Sequence, residues 1–161
     1  MFVHLAPSSA AVAIRRNGIN RLRKVRVPAP GIYAMPVVRN FLVSHQWLRE
    51  LKRWNAGPII GVYFRIPDEQ PVWVAHYRNA HLQMKAAEAT GVIMHAESPE
   101  GFEVIIPRKI APSEIHKIRT LSQVVGWRYF PGSHGKKPCG CPYCQRGQYG
   151  AKKLRKSYES M

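Results

Sequence analysis

Acidic residues are scarce in this chain. Nine Asp and Glu stand against 25 Lys and Arg in 161 residues, and eight basic residues pass before the first carboxylate, Glu50. A formal charge of +16 leaves a strongly positive field, which favours polyanions such as nucleic acid or the phosphates of a nucleotide. Long apolar runs are also missing. None approaches the ~18 residues of a membrane-spanning helix, and Met1 to Pro7 has no basic region ahead of a long apolar core. A soluble, unexported, cytoplasmic protein without a membrane partner is expected. Cysteine is limited to Cys139, Cys141 and Cys144, an odd number in one short segment, which excludes a disulfide framework and points to metal ligands in a reducing compartment. The length fits one domain with a tail.

Against this shortage of acid, Glu103 stands out because it lies inside the apolar run Gly101-Phe102-Glu103-Val104-Ile105-Ile106. As a strand, the run turns Glu103 and Ile105 to one face and Phe102, Val104 and Ile106 to the other. A carboxylate among apolar residues loses hydration unless a partner replaces it, so the position is that of a site residue. The simple alternative is an edge strand whose Glu103 faces solvent.

Taken in order, Phe2 to Leu5 is a short strand containing His4. A helix over Ala10 to Arg16 follows, capped by Ser8 or Ser9 and stopped at Asn17-Gly18. Arg21, Arg23, Lys24 and Arg26 form a basic connector ahead of Pro28 and Pro30, and Gly31 to Met35 is a second strand. A helix from Asn40 or Ser44 to about Trp54 carries Phe41, Trp47, Leu48 and Leu51 on one face. Ile59 to Arg65 and Pro71 to Tyr77 are strands joined by a turn at Pro67-Asp68-Glu69, and Met84 to Ala89 is a short helix. After the Glu103 strand, Pro112 opens a helical turn, and Val124 to Phe130 closes the sheet. Many short strands with helices between the early ones predict an α+β class with a mixed or antiparallel sheet.

Three landmarks stand in fixed order: His4 ahead of a helix and Gly18-Ile19, the Gly31-Ile32-Tyr33 strand ahead of a second helix, and Glu103 ahead of Val104-Ile105-Ile106. Over roughly residues 1 to 120 the chain resembles the His-Tyr-Glu branch of the ADP-ribosyltransferase superfamily, which includes poly(ADP-ribose) polymerases and diphtheria-like toxins. The resemblance implies a split sheet with flanking helices over 1–130. It implies NAD as the substrate cofactor, with His4 orienting a ribose, Tyr33 stacking on nicotinamide and Glu103 hydrogen-bonding the nicotinamide ribose. Leu5 follows His4 where many relatives carry glycine. Phe41 and Ser44 stand where relatives supply an aromatic and a serine, so both belong to the implied NAD site. A related type on the same fold, the RNA 2′-phosphotransferases, would instead use Arg15, Arg16, Arg39 or Arg65.

His134, Cys139, Cys141 and Cys144 offer one imidazole and three thiolates, a set that closes a tetrahedral, structural zinc site over 131–150. His116 is an alternative fourth ligand. Lys152, Lys153, Arg155 and Lys156 make 151–161 a basic tail. The expected function is an NAD-dependent ADP-ribosyltransferase of the glycosyltransferase class, acting on a macromolecular acceptor, with DNA or RNA favoured over protein by the charge. The competing expectation is a zinc-stabilised nucleic-acid-binding module in which His4, Tyr33 and Glu103 are structural.

Overall fold

A computed structural model describes residues 1–20, 30–52, 55, 57–76 and 79–123. The strands are β1 (Phe2–Pro7), β2 (Ile32–Pro36), β3 (Ile59–Phe64), β4 (Pro71–His76), β5 (Leu82–Lys85), β6 (Phe102–Ile106) and β7 (Ile115–Thr120). The helices are α1 (Ala11–Asn17), α2 (Phe41–Ser44), α3 (Leu48–Leu51) and α4 (Ala86–His95), with 3-10 turns at Ser8–Ala10 and Pro112–Glu114. Every strand pair is antiparallel, in the order β5-β4-β6-β2-β1-β3-β7. The class is α+β. Among the described residues no helix is long and apolar enough to cross a membrane.

β3 and β6 are rich in β-branched residues (Ile59, Ile60 and Val62; Val104, Ile105 and Ile106), which pack well on a pleated surface. Phe2 opposite Phe64, Ala6 opposite Ile60, Ile32 opposite Ile106 and Val74 opposite Val104 are buried pairs on one face of the sheet. Ile14 of α1 and Ala86, Ala89 and Ile93 of α4 belong to the same core. The other face carries Val3, Tyr33, Met35, Tyr63, Ala75, Glu103 and Ile105, as the register requires. The segment containing α2 and α3 packs on this face through His45 against Tyr63 and through Leu48 with Ile59 and Leu121.

The sheet has a seam. β1 makes six register pairs with β3 but only two with β2, Phe2 with Pro36 and Val3 with Met35. Beyond them no further register pairs form between the two strands, and the His4 ring supplies a contact instead: Nδ1–H donates to the Tyr33 carbonyl at 2.7 Å.

Several expected boundaries move for identifiable reasons. Neither Ser8 nor Ser9 caps α1; both lie in the 3-10 turn, whereas Gly18 does end the helix, its N–H donating to the Ile14 carbonyl at 2.8 Å. Gly18 has φ 76°, and a Cβ there would strike the Ile110 carbonyl oxygen. The single helix expected up to Trp54 is broken. Asn40 caps α2 through Leu42 N–H, then the chain tightens, with Leu48 N–H donating to the His45 carbonyl, because His45 and Gln46 turn their polar groups inward. Met84 lies in β5 rather than in a helix, and α4 starts at Ala86. The turn at Pro112 is only three residues long and leads into β7, a strand that the sequence reading missed. The strand expected over 124–130, the zinc ligands His134, Cys139, Cys141 and Cys144, and the basic tail lie outside the described residues, as do Arg21, Arg23, Lys24 and Arg26.

Candidate active site

Glu103 enters β6 from a turn that is held at several points. Gly101 takes φ 90°, and a Cβ there would meet the His76 imidazole. The buried Gln46 amide donates to the Pro99 carbonyl at 3.0 Å and accepts from Gly101 N–H, while Trp47 Nε1–H donates to the Phe102 carbonyl at 2.7 Å. The break between α2 and α3 thus holds the residues that launch Glu103. β6 lies between β4 and β2 in the sheet, so the edge-strand alternative fails, and the Glu103 side chain is only 15% exposed.

On β2, Tyr33 stands opposite Ile105, two residues from Glu103, so the phenol and the carboxyl share a face on adjacent strands. His4 stands opposite Val62 and alternates to the other face. Its ring nonetheless reaches the edge of β2 and binds Tyr33 through the carbonyl oxygen. Because that oxygen can only accept, Nδ1 carries a proton, and Nε2 is the acceptor in neutral His4. The structure therefore brings Tyr33 and Glu103 together on one face and ties His4 to Tyr33 across the seam.

The other expected contacts fall further out. Leu5 packs between the main core and the Leu48, Ile59 and Leu121 cluster. Phe41 is half exposed and stacks on the His45 ring at a centroid distance of 3.9 Å. Ser44 is buried, its Oγ accepting from Val38 N–H at 2.9 Å. Arg15 and Arg65 line two separate clefts, of about 190 and 590 Å³, that both reach Ile115 and His116; Arg16 and Arg39 are exposed. His116 is exposed on β7, and among the described residues no group of three or more His, Cys, Asp or Glu could hold a metal ion.

One residue of the site escaped the sequence reading. His81 Nε2 lies 3.4 Å from Glu103 Oε1, without hydrogen-bond geometry, and that buried nitrogen has no hydrogen-bond partner among the described residues. The register explains the encounter. Val74 pairs with Leu82, which sets His81 opposite Ala75, and Ala75 pairs with Glu103. Two strand spacings, roughly 10 Å, separate the outer backbones, and only the small Ala75 side chain lies between. The signal was the β4–β5 hairpin, concealed because Met84 reads as the start of a helix and no second strand is expected directly after Tyr77.

Burial sets the electrostatics. It raises the Glu103 carboxyl to about 7, and it lowers the His81 imidazole, since each group loses hydration of its charged form. Near neutrality Glu103 changes readily between an acid and a carboxylate. As the carboxylate it can accept from a sugar hydroxyl and stabilise positive charge developing nearby. Compared with protein-family models, curated proteins and solved structures, the chain matches none.

Proposed function

We propose that the chain is an NAD-dependent ADP-ribosyltransferase that uses Glu103 as its central carboxylate. The observation that carries this reading is the joint placement of a largely buried Glu103 and Tyr33 on one face, beside a seam where His4 binds the Tyr33 carbonyl. In the proposed reaction the bond from ribose C1′ to the nicotinamide nitrogen breaks, and its electron pair leaves with nicotinamide. A nucleophilic atom of the acceptor bonds C1′ and gives up its proton to solvent water. Glu103 stabilises the oxocarbenium-like sugar between these events and orients its hydroxyl, and Tyr33 supports the leaving ring, while His4, from the other face, holds the Tyr33 main chain rather than the ribose that the resemblance implies. Of the further residues that the family resemblance implies, Leu5 packs between the two core clusters and Ser44 is buried against Val38, which leaves the half-exposed Phe41 as the accessible one.

The acceptor is a macromolecule, with DNA or RNA favoured by the +16 charge. Incubation with labelled NAD and separate protein, DNA and RNA pools tests the assignment. Nicotinamide release and label on one pool are expected, and Glu103→Gln should lower turnover by about 100-fold or more because its contact acts in the transition state. A wild-type protein that neither binds NAD nor releases nicotinamide with any pool refutes the transferase. Label on proteins alone refutes the nucleic-acid acceptor.

A further inference from the structure

We infer that His81 is the proton partner of Glu103, a positioning residue that lets the buried carboxyl reach its ionised form without leaving a lone charge in the sheet. The inference rests on the proposed role of Glu103 for its functional meaning, while the pairing itself stands on the geometry. His81 Nε2 is buried, makes no hydrogen bond among the described residues and lies 3.4 Å from Glu103 Oε1. A buried imidazole nitrogen without a partner is costly, so its retention against a carboxyl calls for an interaction that the present rotamers only approach. A small rotation of either side chain would close it.

The proton balance is simple. With Glu103 protonated and His81 neutral the pair has no net charge; when the Glu103 O–H bond breaks and a bond to Nε2 forms, carboxylate and imidazolium again sum to zero. Ionisation inside the pair therefore avoids the cost of an isolated buried anion.

Other charged or titratable groups on this face and on the helical segment packed against it are placed differently. Lys85 is drawn to Glu69 at 2.7 Å, Tyr63 is bound by His45, and Lys117 lies over the Tyr63 ring. Arg119 stands opposite Gly61, on the β3 side of the seam, and Tyr33 lies two residues along from the Glu103 row. Arg49 and Glu50 belong to α3. His76, neighbour of Ala75, alternates to the other face and bonds the Glu100 carbonyl. Among the described residues, His81 is the one ion-pair neighbour of Glu103.

The test is an NMR titration of the full chain without NAD, reading the Glu103 carboxyl carbon and the His81 ring nitrogens. In the wild type both nuclei should show the same two inflections, as coupled sites do. His81→Gln should raise the Glu103 midpoint by about one pH unit, and Ala75→Val, which keeps both residues but fills the space between them, should collapse the shared inflections into separate ones. Independent single inflections in the wild type, or a Glu103 midpoint unmoved in both variants, overturn the inference. If His81→Gln does not fold, the wild-type curves and Ala75→Val decide alone. NAD turnover gives a second readout: in His81→Gln its acid limb should move up by the same interval, about a tenfold loss on that limb. Coupled titration in a wild type that never consumes NAD would uphold the pair and refute the transferase, so the two failures are distinguishable.

Discussion

Gln46 and Gly101 are joined across 55 positions of sequence by a hydrogen bond from the Gly101 amide to the Gln46 side-chain oxygen, both groups buried. The same side chain donates to the Pro99 carbonyl, so one amide spans the turn that sets the direction of β6. Gln46→Leu keeps the bulk but leaves those two backbone groups unpaired, and a stability loss of about 2 kcal/mol is expected by urea unfolding. Turnover should fall by about tenfold or more through displacement of Glu103, while Leu42→Gln on the exposed side of α2 should change neither quantity.

The Glu103 carboxyl ties stability to pH. Its folded value of about 7 is above the ordinary 4.5, so between these limits the folded state holds more protons than the unfolded state. Stability from this group is present in full below 4.5 and is lost as pH rises through about 7, an effect of up to ~3 kcal/mol. Urea unfolding at pH 5 and pH 8 should show this decline in the wild type. Glu103→Gln should remove most of it, gaining stability at pH 8 while losing activity.

His45 carries the opposite dependence. Its Nδ1–H donates to the Phe41 carbonyl and its Nε2 accepts from the Tyr63 hydroxyl at 2.8 Å, which defines a neutral ring. Burial lowers its pKa, so the unfolded chain binds the extra proton first, and stability is lost as pH falls from 6.5 through the folded value. Tyr63→Phe leaves Nε2 unpaired and should cost about 1–3 kcal/mol at pH 8, measured by thermal or urea unfolding.

Much of the frame was legible because its signals were local. Gly18 marked a helix end that needs positive φ, and the β-branched run around Glu103 marked a strand. What escaped depends on partners distant in sequence. His45 and Gln46 read as ordinary helix positions until Tyr63 and the turn at Gly101 are in place to take their polar groups. His81 acquires a role only through the hairpin register that sets it beside Ala75. β7 was hidden because Pro112-Ser113-Glu114 resembles a helix start, whereas Glu114 is held by a two-pronged Arg108 contact at 2.7 and 2.9 Å and closes the turn after three residues.

The cysteine segment supplies a prediction independent of the sheet. Elemental analysis should find about one zinc per chain, and chelation should lower the melting temperature, because an ion bound only by the folded chain adds its binding energy to folding. Cys141→Ser with Cys144→Ser should abolish uptake; full zinc occupancy in that double variant would rule out the knuckle.

The two register pairs between β1 and β2 also have a mechanical meaning. Six pairs make β1 and β3 one stiff plate, and β2, β6 and β4 make another, so resistance to shear between the plates is least at the seam. His4 is the latch across it, its Nδ1–H held on the Tyr33 carbonyl at 2.7 Å. His4 and Glu103 belong to different plates, so a twist of one plate against the other would change their separation without breaking a register pair inside either plate.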